Sequence, residues 1–139
     1  MTPHEALNQL SYCTLSHTGP DFIHQLVVDA FGAQEPSPND KPIRLVFALV
    51  GLFLFVERGF SGRKVQQVHM TLGRVKRKWP SITIPEFRGT INATTVLAAS
   101  LDDRDRMIHE WCHCVWEAYA RERATIEELL WAYGVIEAR

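Results

Sequence analysis

The feature that most constrains the fold is an unbroken run without a polar side chain over residues 45–56. As a helix this run would rise only about 18 Å, whereas the hydrocarbon core of a bilayer is about 30 Å thick. Arg44 precedes the run, and Glu57 and Arg58 follow it, so it cannot be extended in either direction. The run therefore predicts a helix buried at the centre of a globular fold rather than a membrane span.

Cap signals and helical periodicity predict further helices before this run. Thr2 is followed three residues later by Glu5, which is the spacing of a capping box at a helix start. Residues 21–31 place apolar side chains three and four positions apart and predict a second helix that ends near Gly32. Residues 34–40 contain two prolines, which oppose both helix and sheet, so this segment predicts a loop.

The part of the chain after the central run shows the same helical signals and little strand signal. Ser61 predicts the start of a fourth helix, whose apolar pattern continues to Trp79. Asn92 predicts the cap of a short helix, and residues 102–123 carry the longest helical pattern. Residues 82–84 alternate in polarity, but no second run of this kind is present to pair with them as a strand.

Length and composition agree with one globular domain. The chain has 139 residues, which is typical of one domain. Its hydrophobic fraction of 46% and charged fraction of 22% are close to globular averages and argue against disorder. The sequence thus predicts an all-α fold, a compact bundle of five to seven helices around a buried central helix, as a single domain over residues 1–139.

Net charge, cysteine number and the N-terminus bear on partners and location. The formal net charge of −1 gives no global field that attracts nucleic acid or an anionic membrane, so neither partner is favoured by composition. Three cysteines without framework spacing do not suggest a disulfide scaffold. Residues 1–5 do not resemble the basic leader of a signal peptide. We therefore predict a cytoplasmic protein.

The sharpest chemical motif is an H-E-x-x-H string formed by His109, Glu110 and His113. On a helix this spacing puts both imidazoles on one face, where they can hold zinc while the glutamate acts as the general base of a hydrolase. Glu127 or Glu128 would supply the third zinc ligand. Six histidines in a short chain make a chance match easy, and no strands are predicted that could hold a peptide substrate. We favour the interpretation that these are ordinary helix residues.

The strongest local charge bias lies in residues 58–78, which contain seven basic residues and no acidic one. Its densest part comprises Arg74, Lys76, Arg77 and Lys78. With the adjacent Trp79, these side chains suggest a phosphate-binding surface of a nucleic-acid accessory protein. Two ordinary explanations compete with it. One is charge complementarity with the acidic C-terminal part, and the other is the preference of helix C-termini for cations.

Residues 24–36 read H-x-L-x-V-D-A, then an aromatic residue, then Q-x-P after two further positions. In this signature, and in shorter stretches between residues 22 and 119, the chain resembles an uncharacterised bacterial family of small cytoplasmic proteins classed as a domain of unknown function. The resemblance implies a fold more than an activity. It draws attention to His24, Asp29 and Gln34 as a further candidate site.

These signature residues allow two interpretations. Asp29 and Gln34 are able to satisfy backbone groups where the second helix ends, which is a structural role. Alternatively, His24 and Asp29 bind a metal together with His69 or His109, since facing helices of a bundle can gather such ligands. The five-residue separation of His24 and Asp29 does not stack them on one helix face, so the structural role is the favoured interpretation.

The leading hypothesis for function is a non-catalytic interaction or self-associating module that forms a homo-oligomer. Four tryptophans motivate this hypothesis, because aromatic residues left at a surface are common interface anchors. The zinc-dependent hydrolase is the first alternative, with zinc as its cofactor. The nucleic-acid accessory protein is the second alternative.

Overall fold

The computed structural model describes residues 1–16 and 21–137. Within these ranges the chain forms seven α-helices and no β-strand, which confirms the all-α prediction and the predicted number of helices. The helices are α1 (Pro3–Leu15), α2 (Ile23–Gln34), α3 (Pro42–Arg58), α4 (Gly62–Leu72), α5 (Ala93–Ala98), α6 (Arg104–Ala118) and α7 (Arg123–Ala132). No helix in the described ranges is long and apolar enough to cross a membrane.

The predicted central helix is α3, which packs against α2, α4, α6 and α7. Eight of its seventeen residues are buried, because the apolar run leaves no polar face that would require solvent. Pro42 occupies its first position, and Gly59 ends it in the left-handed conformation, with φ of 69°. The apolar run thus organises the bundle as predicted.

Three helix starts follow the predicted caps. The Thr2 hydroxyl accepts a hydrogen bond from the Glu5 amide, and the Glu5 carboxylate accepts one from the Thr2 amide, which completes the capping box of α1. The Ser61 hydroxyl caps α4 by accepting a single hydrogen bond from the Lys64 amide. The side chain of Asn92 caps α5. Each cap satisfies amide groups that the first turn of a helix leaves unpaired.

The fourth helix is shorter than predicted, because α4 ends at Leu72 and not at Trp79. The chain leaves the helix after Gly73 and continues without regular structure, so that the Trp79 ring packs edge-on against Phe47 of α3 at 5.3 Å between centroids. Tertiary packing therefore overrides the helical periodicity of this segment. The alternating residues 82–84 likewise form no strand.

Two other predicted boundaries differ from the structure. The second helix ends at Gln34, two residues beyond Gly32. The long helix predicted over residues 102–123 is interrupted after Ala118 by a short 3-10 turn. In addition, α3 and not α6 is the longest α-helix within the described ranges.

Candidate functional site

Asp29 of α2 lies in the interior of the bundle, where only 3% of the residue is exposed. Its Oδ1 accepts a hydrogen bond of 3.1 Å from Nε2 of Gln25, one helical turn earlier. Its Oδ2 has no hydrogen-bond partner among the described residues. Burial raises the pKa of Asp29 well above its ordinary value, and the Gln25 hydrogen bond only partly opposes this effect. The core therefore favours the protonated, uncharged form of this carboxyl group.

Close approach between α2 and α3 explains why the Asp29 carboxyl is so confined. A Cβ atom added to Gly51 of α3 would lie 1.8 Å from Oδ2 of Asp29 and 3.1 Å from a methyl carbon of Val65. Glycine at this position thus provides the space that the carboxyl group occupies. The absence of a side chain at Gly51 and the burial of Asp29 are two parts of one packing arrangement.

Gln25 also connects Asp29 to a histidine of α4. Its Nε2 lies 3.3 Å from Nδ1 of His69, and Nε2 of His69 lies 2.7 Å from the Phe47 carbonyl oxygen. Because a carbonyl only accepts, the hydrogen-bond pattern assigns the proton to Nε2 and leaves Nδ1 as an acceptor. Burial lowers the pKa of His69, and the Phe47 carbonyl partly opposes this shift. These contacts form a partly buried Asp29–Gln25–His69 network that joins α2, α3 and α4.

Gln34, at the end of α2, fixes the irregular connection that precedes α5. Its Oε1 accepts a 3.0 Å hydrogen bond from Nε1 of Trp111 in α6. Its Nε2 donates to the carbonyl oxygens of Arg88 and Ile91, at 3.2 and 2.6 Å. Nε of Arg88 donates a hydrogen bond to the backbone carbonyl oxygen of Gln34. Every polar atom of this buried amide is thus used in a structural contact.

The third signature residue, His24, contacts yet another part of the fold. Its Nδ1 lies 2.9 Å from the Thr14 hydroxyl of α1, and burial lowers the pKa of His24. Ten residues separate His24 from Gln34, which corresponds to about 15 Å along a helix axis. The structure therefore places His24, Asp29 and Gln34 against different partners and does not bring them into one reaction centre.

The H-E-x-x-H residues lie on the outer side of α6. His109 and His113 are exposed and share a face, and their ring centroids lie 5.0 and 6.1 Å from that of Phe55. Glu110 is also exposed and forms an ion pair with Arg106 at 2.6 Å. The helical spacing thus places the two imidazoles as predicted, while the intervening carboxylate is engaged by an arginine.

The two glutamates considered as a third zinc ligand lie on α7. Glu127 forms ion pairs with Arg123 at 3.3 Å and Arg58 at 3.9 Å, and Glu128 is exposed. Within residues 1–16 and 21–137, no three His, Cys, Asp or Glu side chains are grouped so that they could hold a metal ion. In that part of the chain, neither glutamate completes a three-ligand group with His109 and His113.

A cavity of about 900 Å³ lies beside the N-terminal part of α6. Apolar side chains including Phe22, Phe55 and Ile108 form much of its wall. His109 borders the cavity, but Glu110 and His113 are not among its described lining residues. The cavity therefore does not present the whole H-E-x-x-H string to a substrate.

The basic segment, residues 74–78, lies on the surface. The side chains of Arg74, Lys76 and Lys78 are exposed, and none makes an ion pair with a described acidic residue. The fourth basic side chain, Arg77, lies 5.5 Å from the Trp79 ring centroid and 5.6 Å from that of Tyr133. Tyr133 is 56 residues away from Arg77, and no local sequence pattern predicts that it lies beside the basic segment.

The tryptophans, which the sequence suggested as interface anchors, do not all lie at the surface. Trp111 and Trp116 are buried in the core, so for these two residues the anchor argument is wrong. Nε1 of Trp116 donates a 2.7 Å hydrogen bond to Glu57, whose carboxylate also binds Arg123. Burial alone would raise the pKa of Glu57, but these hydrogen bonds, together with the positive charges of Arg123 and Arg58, hold that pKa below its ordinary value. Trp131 remains a large exposed aromatic residue.

The fold and the contacts define an all-α helical bundle with a polar network in its core and a basic surface segment. The chain matches the family described as "Family of unknown function (DUF5946)" over residues 4–120, and it belongs to that family. This match confirms the resemblance to an uncharacterised family. No curated protein and no solved structure matches the chain. The matched range covers α1 to α6, and Tyr133 lies beyond it.

Proposed function

We propose that this protein is a non-catalytic interaction module that binds polyanions through the basic segment, residues 74–78. One observation carries the proposal: the basic side chains of this segment are exposed, and no described acidic residue forms an ion pair with them. Cationic side chains without acidic partners attract polyanions, because binding releases the counterions that surround the polyanion. Two ordinary explanations for these charges argued against nucleic acid in the sequence: charge complementarity within the fold and the preference of helix C-termini for cations. Each can be compared with the contacts that the basic residues make.

Charge complementarity within the fold accounts for only a small part of the basic run. Arg58 is paired with Glu127 on α7 at 3.9 Å. Arg63 and Lys64 face the rings of Phe22 and Phe60. In the described ranges, no other basic residue between positions 58 and 78 has an acidic partner. The densest part of the run therefore keeps its charge available for a partner.

The helix dipole does not explain the basic segment either. Its stabilisation of cations falls off within the last helical turn. Since α4 ends at Leu72, Arg74 is close enough to benefit, whereas Lys76 and Lys78 lie on the irregular segment beyond the helix. The clustering of charge at these positions is thus better explained by an external partner than by the stability of α4.

The positions of the candidate catalytic and metal-binding residues support a non-catalytic role. Asp29 and His69 are used in the buried network, and Gln34 holds the connection before α5. Glu110, the base of the hydrolase hypothesis, is paired with Arg106 on the protein surface. These side chains have clear structural partners, whereas no described acidic residue pairs with Arg74, Lys76 or Lys78 of the basic segment. Self-association, in which an acidic surface of a second copy covers the segment, is the alternative outcome of the test.

Retention on immobilised heparin tests the proposal, with two variants that change the net charge equally. Arg74→Gln/Lys76→Gln removes charge from the basic segment, and Lys41→Gln/Arg121→Gln removes the same charge from exposed positions elsewhere. We expect the wild type and the control variant to elute at similar salt, and the basic-segment variant to elute at clearly lower salt.

Two results would contradict the proposal. One is a wild-type protein that heparin does not retain at low salt. The other is an equal loss of retention in both variants, because retention would then follow net charge alone. Sedimentation of each variant shows whether the basic segment holds a second copy instead, since a dimer lost only in Arg74→Gln/Lys76→Gln would support self-association.

A further inference from the structure

Two aromatic rings from distant parts of the chain lie against the basic segment. The Arg77 guanidinium is 5.5 Å from the Trp79 centroid and 5.6 Å from the Tyr133 centroid. Its Nη1 also donates a 3.3 Å hydrogen bond to the Tyr133 hydroxyl. These contacts are in the range of cation–π interactions, which restrain the planar guanidinium beside the rings. We call Arg77, Trp79 and Tyr133 the aromatic cluster.

The rings of the aromatic cluster are held in place and partly open to solvent. Trp79 and Phe47 form a T-shaped pair with an interplanar angle of 89°, and Trp79 is half-buried. Tyr133 is 38% exposed and follows directly after α7, where Gly134 with φ of 72° turns the chain away. A fixed ring loses little entropy when a ligand stacks on it.

We infer that the polyanion bound by this protein is single-stranded nucleic acid, whose bases stack on the aromatic cluster while Arg74, Lys76 and Lys78 bind its phosphates. The inference rests on the proposed function, to which it adds the class of partner. Basic side chains interleaved with aromatic rings are the combination that non-sequence-specific single-strand binding uses. The charges supply affinity for any polyanion, and the rings add affinity only for one with unpaired bases.

Other polyanions use only part of this surface. Heparin has charge but no aromatic base, and a DNA duplex keeps its base faces stacked inside the helix. An anionic lipid surface would also use the basic side chains, but it offers the aromatic cluster no base to stack on. The cluster is therefore the feature that distinguishes a single strand from these partners, and Tyr133 is the residue whose removal tests it.

Fluorescence anisotropy with a labelled oligothymidylate of about 20 nucleotides measures this contribution. Tyr133→Ala should weaken binding of the oligothymidylate by about 5- to 150-fold, which is the range measured for the loss of one base–aromatic stack. Tyr133→Phe keeps the ring and should remain within about twofold of the wild type. Tyr12→Ala removes a tyrosine on α1 that is 79% exposed and serves as a matched control without effect.

The same variants with labelled heparin separate the inference from the proposed function. Tyr133→Ala should bind heparin like the wild type, because heparin has no base to stack. Equal losses for both ligands, or equal affinity of the wild type for the oligothymidylate and its duplex, would overturn the inference and leave the proposed function standing. Wild-type protein that binds neither ligand would overturn both. Binding to heparin and to phosphatidylserine-containing vesicles, without binding to the oligothymidylate, would overturn the inference in favour of a membrane partner. Thermal unfolding confirms that each variant is folded.

Discussion

The buried carboxyl group of Asp29 predicts a specific pH dependence of stability, which the substitution Asp29→Asn removes. Asparagine has nearly the same shape but cannot ionise. Its side-chain oxygen can still accept the hydrogen bond that Gln25 donates to Oδ1 at 3.1 Å. Wild type and variant therefore differ mainly in one titrating group, whose pKa burial raises well above the value of 3.8 for an accessible aspartate.

The sign of the effect follows from proton binding in the two states. Below the pKa of the unfolded chain, about 4, both states of the wild type hold the proton and ionisation of Asp29 costs no stability. Above it, the unfolded chain loses the proton while the folded protein keeps it. The free energy of unfolding then falls by up to about 1.4 kcal/mol per pH unit, until the pH reaches the raised pKa of the folded state. Asp29→Asn lacks this contribution.

Urea unfolding followed by tryptophan fluorescence between about pH 4 and pH 8 measures the difference between the two proteins. We expect the stability of Asp29→Asn relative to the wild type to increase with pH and then reach a plateau. Asp102→Asn makes the same substitution at an exposed position and controls for surface electrostatics. Parallel pH profiles of wild type and Asp29→Asn, or a relative loss for the variant as pH rises, would refute the reasoning.

Three further predictions concern packing and metal binding. Gly51→Ala puts a methyl group 1.8 Å from Oδ2 of Asp29 and should cost about 1–3 kcal/mol or more in urea unfolding, with a smaller cost in an Asp29→Ala background. Gln34→Ala leaves Trp111 Nε1 without its acceptor and should destabilise by about 1–3 kcal/mol, whereas an unchanged midpoint would contradict the assigned contacts. Elemental analysis of protein purified without chelator should give no stoichiometric zinc; zinc lost in His113→Ala would instead favour the hydrolase hypothesis.

Local signals predicted the helices well. The apolar run in α3, the capping box of Thr2 and the caps at Ser61 and Asn92 all act within a few residues, so the sequence alone reveals them. The end of α4 was predicted wrongly because Trp79 packs on α3, and no local pattern encodes that contact.

The candidate sites depended more strongly on tertiary structure. The sequence correctly predicted that His109 and His113 share a helix face, since four-residue spacing determines this. It could not predict which side chains would approach that face from other helices. The same limit applies to two other contacts. Gln34 and Trp111 are separated by 77 positions in the sequence, and Arg77 of the basic segment and Tyr133 are separated by 56 positions.

The central claim is that the basic segment binds a polyanion, and the salt dependence of oligothymidylate binding tests it most directly. The logarithm of the association constant should fall linearly with the logarithm of salt concentration, by about 0.7 for each phosphate contact with a single strand. Arg74→Gln/Lys76→Gln should therefore reduce the slope by about 1.4, while Lys41→Gln/Arg121→Gln leaves it unchanged. No binding by the wild type, or the same slope in both variants, would contradict the account.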